Sequence, residues 1–282
     1  MLSRRQLLLA GAGTLALAAC GRNERDTGAT GGEGDGLTLA RVFAPEQPAA
    51  TPLRLPLALA DGTGLLLGEV PSSIEARVGP AGGDLGQPVT VERHDDGIPR
   101  AYFPFETTFD APGEWRIVVD ADGTTAEAAV SARDRRELPA VPHPGDQMVV
   151  LPTPTTADAL GIDPLCTNDP VCPLHDLSLD EALAAGGPLA LLVATPRFCQ
   201  TAICGPVLDL LLEAREDHPD LTMVHAEVYV DETARRTTPT VDAYGLTYEP
   251  ALFVADATGR VTARLDYTFD RTELARSLAT AS

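Results

Sequence analysis

The sequence predicts two domains, an all-β domain followed by an α/β domain. The chain has 282 residues, which is the length of about two ordinary domains. Residues 37–132 alternate short apolar runs with Gly, Pro and Asp turns, whereas residues after 176 show continuous apolar runs and helical spacing. Between these patterns, the proline-rich residues 133–165 disfavour both helix and internal strand. We interpret them as a semi-rigid linker, and the apolar run 148–151 within it can lie on the second domain as an edge strand.

Residues 1–19 have the pattern of an export signal. Arg4 and Arg5 precede a short apolar stretch and resemble a twin-arginine signal. The sequence Leu-Ala-Ala-Cys that ends at Cys20 resembles a bacterial lipobox, in which the cysteine is lipidated. An ordinary secretory signal with a chance cysteine is the alternative. Residues 20–36 are polar and rich in glycine, so we expect a flexible tether. The predicted location is the cell membrane, lipid-anchored on the extracytoplasmic side.

Residues 37–132 predict an immunoglobulin-like β-sandwich. Short runs with alternating polarity, separated by turn residues, are typical of such folds. The segment 109–115 is similar to the turn before a late strand in many extracellular immunoglobulin-like domains. The expected role of this domain is packing or docking. The predicted strands are 53–59, 73–78, 88–93, 101–109, 115–120 and 126–131.

Residues 166–282 predict the α/β domain. The continuous apolar run at 189–194 is typical of a strand that is covered on both faces. The two strands at Ala251–Ala255 and 260–267 are separated by a hairpin turn. The expected order is strand, helix, strand, connection, strand, strand, helix. The remaining elements are helices at Leu179–Ala185, 206–217 and 269–279 and a strand at 221–230.

The charge composition excludes several functions. The chain has 21 basic and 41 acidic residues, a net charge of −20, and all the basic residues are Arg. Without Lys there is no Walker A lysine and no Schiff-base lysine. A surface this acidic repels phosphates, so nucleic acid is not an expected partner.

Four cysteines remain once Cys20 is assigned to the lipid anchor. An exported chain enters an oxidising compartment, so an even number of cysteines suggests disulfides. Four cysteines allow three pairings, and the sequence alone does not choose among them. Spacing favours the local pairs Cys166–Cys172 and Cys199–Cys204.

The second domain resembles the thioredoxin superfamily, in particular its TlpA-like membrane-anchored members. Two motifs within about residues 175–282 carry the resemblance. The triplet beginning at Cys204, Cys-Gly-Pro, looks like the start of the family's active-site motif, and 248–254 looks like its cis-proline loop with the following strand. The resemblance implies that Pro250 is cis and packs beside the cysteines.

The resemblance implies thiol–disulfide exchange with exported protein thiols or disulfides. Cys204 at a helix start is the predicted nucleophile, Cys199 the resolving thiol, and Arg197 can assist. The family's second cysteine falls on Val207 here, so the pair is Cys-x4-Cys. The strand at 189–195 also lacks the buried carboxylate that serves thioredoxins as proton acceptor. The predicted function is an extracytoplasmic, membrane-anchored thiol–disulfide oxidoreductase without a cofactor.

Cys166 and Cys172 precede the fold proper and are predicted to form a structural disulfide. Two other interpretations stay open for them. They can be a second redox pair, or they can bind a metal together with His175, because soft ligands stand at suitable spacing.

Two alternative functions remain for the whole chain. One is a copper chaperone similar to the Sco family, using Cys199, Cys204 and His225, with copper as the bound metal. The other is a non-catalytic thioredoxin-like interaction protein with structural disulfides.

Overall fold

The structure, a computed structural model, describes residues 36–281. The predicted signal peptide, the predicted lipidation site Cys20 and almost all of the predicted tether lie outside the described residues. Within 36–281, no helix combines the length and the apolar character needed to cross a membrane. The chain forms strands throughout its first part, and helices alternate with strands in its last third.

The first part contains eight strands in two sheets. One sheet has the order β1-β3-β6 and the other has the order β2-β8-β7-β4-β5. All neighbouring strands are antiparallel except the pair of β2 and β8. The strands are β1 (Thr38–Arg41), β2 (Glu46–Pro48), β3 (Leu53–Ala60), β4 (Ser73–Pro80), β5 (Val89–Glu92), β6 (Phe103–Thr107), β7 (Gly113–Ala121) and β8 (Thr124–Arg133).

Both sheets contribute to one hydrophobic core. Buried and exposed side chains alternate along β8, as expected for a strand with one face on the core. Leu57 of the first sheet and Ile117 and Val119 of the second are completely buried in the same cluster. The first part is therefore a two-layer β structure, and its immunoglobulin-like ancestry stays a prediction.

The predicted linker lies against the second domain. After a short 3-10 turn at Arg135–Glu137, the chain contains no helix or strand before residue 179. Met148 is nonetheless buried in the core of the second domain, and its N–H donates to the carbonyl of Gly259 at 2.8 Å. The Tyr244 hydroxyl donates to the carbonyl of Val149 at 3.2 Å. The expected spacer is thus packed chain, because its apolar side chains complete a hydrophobic core.

The second domain is built on a four-stranded sheet of order β10-β9-β11-β12. β9 and β10 are parallel, whereas β11 is antiparallel to both β9 and β12. The predicted order of elements is observed, with a short helix in the connection. The elements are α1 (Leu179–Ala185), β9 (Leu189–Val193), α2 (Cys204–Ala214), β10 (Thr222–Ala226), α3 (Pro239–Ala243), β11 (Ala251–Ala255), β12 (Val261–Asp266) and α4 (Arg271–Leu278), followed by a 3-10 turn at Ala279–Ala281.

The central strand β9 is buried along its whole length, which confirms the prediction made from its continuous apolar run. Leu192 packs into one core with Leu208 of α2 and Leu274 of α4. Leu191 belongs to a second core with Leu179 of α1. Helices therefore cover both faces of the sheet. Cys204 begins α2 at the end of the loop that follows β9.

Candidate functional site

Cys199 and Cys204 come together in the loop that joins β9 to α2. Ala202 has a positive φ of 56°, and its N–H donates to the carbonyl of Cys199 at 3.2 Å. This turn folds the loop back on itself. As a result, the two sulfur atoms lie 2.6 Å apart although four residues separate the cysteines. We call Cys199 and Cys204 the dithiol pair.

The Cys199 sulfur is surrounded by hydrogen-bond donors. The Cys204 thiol donates to it, the backbone N–H of Cys204 does so at 3.4 Å, and the Thr201 hydroxyl lies at 3.4 Å. These hydrogen bonds, with that from the Cys204 thiol the largest, outweigh burial and lower the pKa of Cys199 to about 5. At neutral pH, Cys199 is therefore almost entirely a thiolate.

The two cysteines of the dithiol pair differ in burial and in pKa. Cys204 is completely buried, whereas Cys199 is only partly buried. Burial and the neighbouring Cys199 raise the pKa of Cys204 well above that of an ordinary thiol. A nucleophilic thiol must be accessible and ionised, and of the two thiols only Cys199 combines these properties. The helix N-terminus acts on Cys199 through the N–H of Cys204, which sequence reasoning did not anticipate.

A carboxyl group and a phenol interact electrostatically with the dithiol pair. Burial and the charge of Cys199 raise the pKa of Glu249. Burial raises the pKa of Tyr229, and the charges of Glu249 and both cysteines raise it further. The peptide bond between Glu249 and Pro250 is cis. The sequence pattern pointed to Pro250 and did not single out Glu249, whose chemical character depends on the neighbours it gains by folding.

Arg197 does not assist the dithiol pair in the expected way. Its guanidinium forms an exposed ion pair with Glu232 at 2.6 Å and lies over the ring of Phe198. The two members of that ion pair are far from each other in the sequence, so their pairing could not be inferred from spacing. Donors of the helix start, rather than Arg197, stabilise the Cys199 thiolate.

A second group of cysteines and histidines is buried beside β10. Cys166, Cys172, His175 and His225 place one ligand atom each within 4.8 Å of all the others. Each of the four residues is at most 4% exposed. These residues, which we call the Cys–His cluster, can therefore bind a metal ion. Sequence spacing had grouped the first three of them, and the fold adds His225.

The predicted disulfide between Cys166 and Cys172 is not observed, since both cysteines are free thiols. Instead, both sulfurs face Nδ1 of His225, at 3.7 Å and 3.4 Å. The pKa of Cys166 is lowered, chiefly by the hydrogen bond from Cys172 and also by those from His175 and His225. Hydrogen bonding to Cys166 and burial raise the pKa of Cys172. Burial lowers the pKa of His225. The hydrogen bond and charge of Cys166 and the charge of Glu227 outweigh burial, so the net shift of the His225 pKa is upward.

The ligand set expected for copper, Cys199, Cys204 and His225, is not brought together. Both ring nitrogens of His225 have other partners. Nδ1 faces the other three members of the Cys–His cluster, and Nε2 lies 3.1 Å from the carbonyl oxygen of Ala194. His225 pairs with Leu192 of β9, and its Nδ1 faces the sulfurs of Cys166 and Cys172 instead of the dithiol pair. The sequence pattern does not reveal which cysteines a histidine on this strand meets.

Thr167 connects the Cys–His cluster with the loop of the dithiol pair. Its N–H and hydroxyl both donate to Glu227, at 2.5 Å and 2.7 Å. Its hydroxyl oxygen also accepts the N–H of Arg197 at 3.2 Å. Burial raises the pKa of Glu227, which is 1% exposed. The sequence analysis did not single out Glu227, which follows β10 and is buried only by the packing of the folded chain.

A cleft of about 590 Å³ lies between the two domains. Arg54 and Glu106 line it from the first domain, and Arg264 and Tyr267 line it from the second. None of the four described cysteines is part of its lining. The chemistry that the sequence predicts therefore lies at the dithiol pair and the Cys–His cluster.

Comparison with known proteins does not place the chain in a family. No family model matches it, and no curated protein matches it. The CARDB domain of a protein from Pyrococcus furiosus, in complex with di-metal ions, is 16% identical over 35% of this chain and 86% of its own length, with a TM-score of 0.22. Superoxide reductase (neelaredoxin) from Ignicoccus hospitalis is 14% identical over 34% of this chain and 79% of its own, also with a TM-score of 0.22.

A third solved structure, the SrpA adhesin from Streptococcus sanguinis, is 11% identical over 89% of this chain and 99% of its own length, with a TM-score of 0.22. Similarity at this level assigns neither a fold family nor a function. The interpretation of the chain therefore depends on the geometry of its own residues.

Proposed function

We propose that the chain is a thiol–disulfide oxidoreductase in which Cys199 exchanges disulfides and Cys204 resolves the mixed disulfide. We also propose that its second domain is thioredoxin-like and that Cys20 anchors the protein to the extracytoplasmic side of the cell membrane. The carrying observation is the 2.6 Å separation of the two sulfurs, one partly accessible and one buried. A pair of thiols in this arrangement needs little movement to form a disulfide.

The exchange starts at Cys199. Its thiolate attacks one sulfur of a substrate disulfide, which forms a mixed disulfide and releases the other sulfur as a thiolate. Deprotonated Cys204 then attacks the Cys199 sulfur, so that the Cys199–Cys204 disulfide forms and the second substrate thiolate leaves. Two electrons pass from the dithiol pair to the substrate. In the reverse direction, the oxidised pair accepts two electrons from a substrate dithiol.

Glu249 is the group proposed to move the proton in the second step. Cys204 must lose a proton before it attacks, and burial disfavours its thiolate. Glu249 is partly buried and its carboxyl pKa is raised, so the group can take a proton from Cys204 and return it. Glu249 thereby replaces the strand carboxylate that the resemblance calls for and β9 lacks.

The stabilised Cys199 thiolate favours an oxidising role. Hydrogen bonds to this thiolate stabilise the reduced protein and not the disulfide, which makes the disulfide a stronger oxidant. The proposed substrates are accordingly thiols of exported proteins. A static disulfide, as in a non-catalytic interaction protein, would gain nothing from a thiolate held at the protein surface.

The decisive experiment is a redox titration of the full chain in detergent. The protein is equilibrated in glutathione and dithiothreitol buffers, free thiols are trapped, and each cysteine is quantified by mass spectrometry. We expect the dithiol pair to titrate between about −120 and −270 mV, the range of working oxidoreductases. A disulfide that stays closed below about −300 mV would instead be structural and would contradict the proposal.

Matched variants separate exchange from folding. Cys199→Ser should remove reaction with a disulfide substrate, whereas Cys204→Ser should react once and accumulate the mixed disulfide. Both variants replace a cysteine of the same loop with serine. A difference in their reaction with the substrate therefore reflects the different roles of the two cysteines in exchange. Equal behaviour of both variants would contradict the assigned order of attack.

A further inference from the structure

We propose that Cys166, Cys172, His175 and His225 form a closed tetrahedral Zn²⁺ site that fixes residues 163–175 to the sheet. The proposal goes beyond thiol–disulfide exchange and does not depend on it. Two sulfurs and two imidazole nitrogens are the ligand set of many structural zinc sites. Here they come from a loop segment and from the core strand β10.

The distances among the ligand atoms match those around a zinc ion. Nδ1 of His225 lies 3.2 Å from Nε2 of His175, 3.4 Å from the Cys172 sulfur and 3.7 Å from the Cys166 sulfur. Around tetrahedral zinc, bond lengths of about 2.05 Å to nitrogen and 2.3 Å to sulfur give about 3.4 Å between nitrogens and about 3.6 Å between nitrogen and sulfur. A zinc ion at the centre therefore requires little movement of the ligands.

Hydrogen bonding alone does not account for this arrangement. When Nε2 of His225 carries a hydrogen and donates to the carbonyl of Ala194, Nδ1 has a single lone pair. Three polar atoms converge on that one lone pair. Burying two imidazoles and two thiols in this way is costly, and a metal ion would compensate for that cost.

The hydrogen bond from Nε2 of His225 to the carbonyl of Ala194 is the supporting contact that ligating histidines usually make. Ligating histidines usually donate their other ring N–H to a carbonyl or carboxylate, which sets the tautomer and the direction of the ring. The carbonyl of Ala194, directly after β9, performs this function for His225. The backbone N–H of His225 also donates to the carbonyl of Leu174 at 3.0 Å, which aligns the segment containing His175 with β10.

The charge and the ligand types favour zinc over magnesium and calcium. Two thiolates balance the two charges of Zn²⁺, so the occupied cluster is neutral in a buried position. Four protein ligands leave no open position, which is typical of structural rather than catalytic sites. Tetrahedral sites with two sulfur and two nitrogen ligands select zinc over the oxygen-preferring magnesium and calcium.

A bound zinc ion would also support the dithiol pair. Residues 163–175 contain no helix or strand, so few backbone hydrogen bonds hold them. Thr167, next to Cys166, connects this segment both to Glu227 and to the N–H of Arg197 in the loop of Cys199. Metal bound by Cys166 therefore restrains the loop that carries Cys199.

The test uses the full chain in detergent, reduced and freed of metal with a chelator under anaerobic conditions. Addition of ZnCl2 should give one zinc per chain by elemental analysis. Addition of CoCl2 should give thiolate-to-cobalt charge-transfer absorption and the intense visible bands of tetrahedral coordination. Because both measurements use the unaltered chain, the result does not depend on whether a variant folds.

Matched variants locate the metal. Cys172→Ser and His225→Ala should weaken zinc binding by about 100-fold or more, since ligand loss costs at least as much as loss of a supporting contact. The double variant Cys199→Ser/Cys204→Ser should bind zinc like the original chain. So should His218→Ala, at a histidine between α2 and β10 that is not part of the Cys–His cluster. Near-ultraviolet circular dichroism of each variant with and without zinc checks the fold.

Several results would overturn the zinc site. They are the absence of zinc binding by the reduced chain, octahedral cobalt spectra, zinc binding that disappears only in the Cys199→Ser/Cys204→Ser variant, and binding of Cu(I) without binding of zinc. A Cys166–Cys172 disulfide in metal-free protein isolated from cells would overturn it as well. Each of these results is separate from the redox titration, so the zinc site and the oxidoreductase function can fail independently.

Discussion

The carboxylate of Glu273, in the last helix, accepts a 2.8 Å hydrogen bond from the Arg54 guanidinium, which lies 219 residues earlier in β3. Both side chains are nearly buried, with 11% and 12% of their surface exposed. The Tyr102 hydroxyl donates to the same carboxylate, and it accepts the N–H of Asp270 at 2.9 Å. The two domains therefore meet through a buried polar network, which favours a fixed arrangement of the domains.

Removal of Glu273 should destabilise the protein strongly. Glu273→Ala leaves the Arg54 charge buried without its partner, and breaking such a pair costs about 3–5 kcal/mol. Urea denaturation of Glu273→Ala, of a control variant and of the original chain measures the loss of unfolding free energy. The control is Glu46→Ala, which removes an exposed 3.2 Å ion pair with Arg133 and should cost less than about 1 kcal/mol. Equal losses in both variants would show that the domain contact contributes little.

Cys199 should react with iodoacetamide at low pH. Its thiolate is stabilised by the Cys204 thiol and by helix-start donors, so the alkylation rate should rise with a midpoint near the pKa of about 5. Cys204 should remain unmodified in the folded protein because it is completely buried. Peptide mass spectrometry after timed alkylation distinguishes the two cysteines. A midpoint near the unperturbed thiol value of 9.0 would contradict the proposed stabilisation.

The reduced protein should lose stability as the pH falls toward 5. The folded-state pKa of Cys199 lies below the value of 9.0 that represents an unperturbed thiol. Its stabilising contribution is therefore complete above pH 9.0, declines as the pH falls, and is lost below the folded-state pKa. Melting temperatures of reduced protein between those pH values should show this slope. In Cys199→Ser the slope should be shallower, and an unchanged slope would assign the effect to other groups.

Glu249→Gln should slow the closing of the Cys199–Cys204 disulfide. The variant keeps the size of the side chain and removes its ability to accept the proton of Cys204, so we expect a loss of about 100-fold in the closing rate. Stopped-flow decay of the mixed disulfide measures that step. Glu232→Gln is the matched control, since Glu232 is exposed and paired with Arg197. A comparable loss in both variants would indicate a general charge effect.

The proposed lipid anchor at Cys20 can be tested although Cys20 lies outside the described residues. If Cys20 is lipidated, the chain expressed in a bacterium with lipoprotein processing should partition into the detergent phase, and Cys20→Ala should move it to the aqueous phase. Mass spectrometry of the mature N-terminus identifies the acyl groups. An unmodified Cys20 in the mature protein, or cleavage elsewhere, would support an ordinary secretory signal instead.

The local pattern of apolar and turn residues was sufficient to predict most of the helices and strands. The helix Leu179–Ala185 and the strand Ala251–Ala255 have the predicted bounds, and the other predicted elements differ by a few residues at their ends. Two short strands, β1 and β2, and the helix α3 were missed. These elements have three to five residues each and depend on partners far away in the chain, which a local window does not contain.

The sequence by itself determined the two-part organisation, the cysteine groups and the strand–helix order of the second domain, since polarity patterns and spacing act over short distances. Only the tertiary structure decided which cysteine of the dithiol pair is accessible, because burial is set by packing around Cys204. Only the fold placed His225 with Cys166 and Cys172 rather than with the dithiol pair. The direction of a side chain from a strand, and the neighbours it meets there, depend on register and on segments distant in the chain.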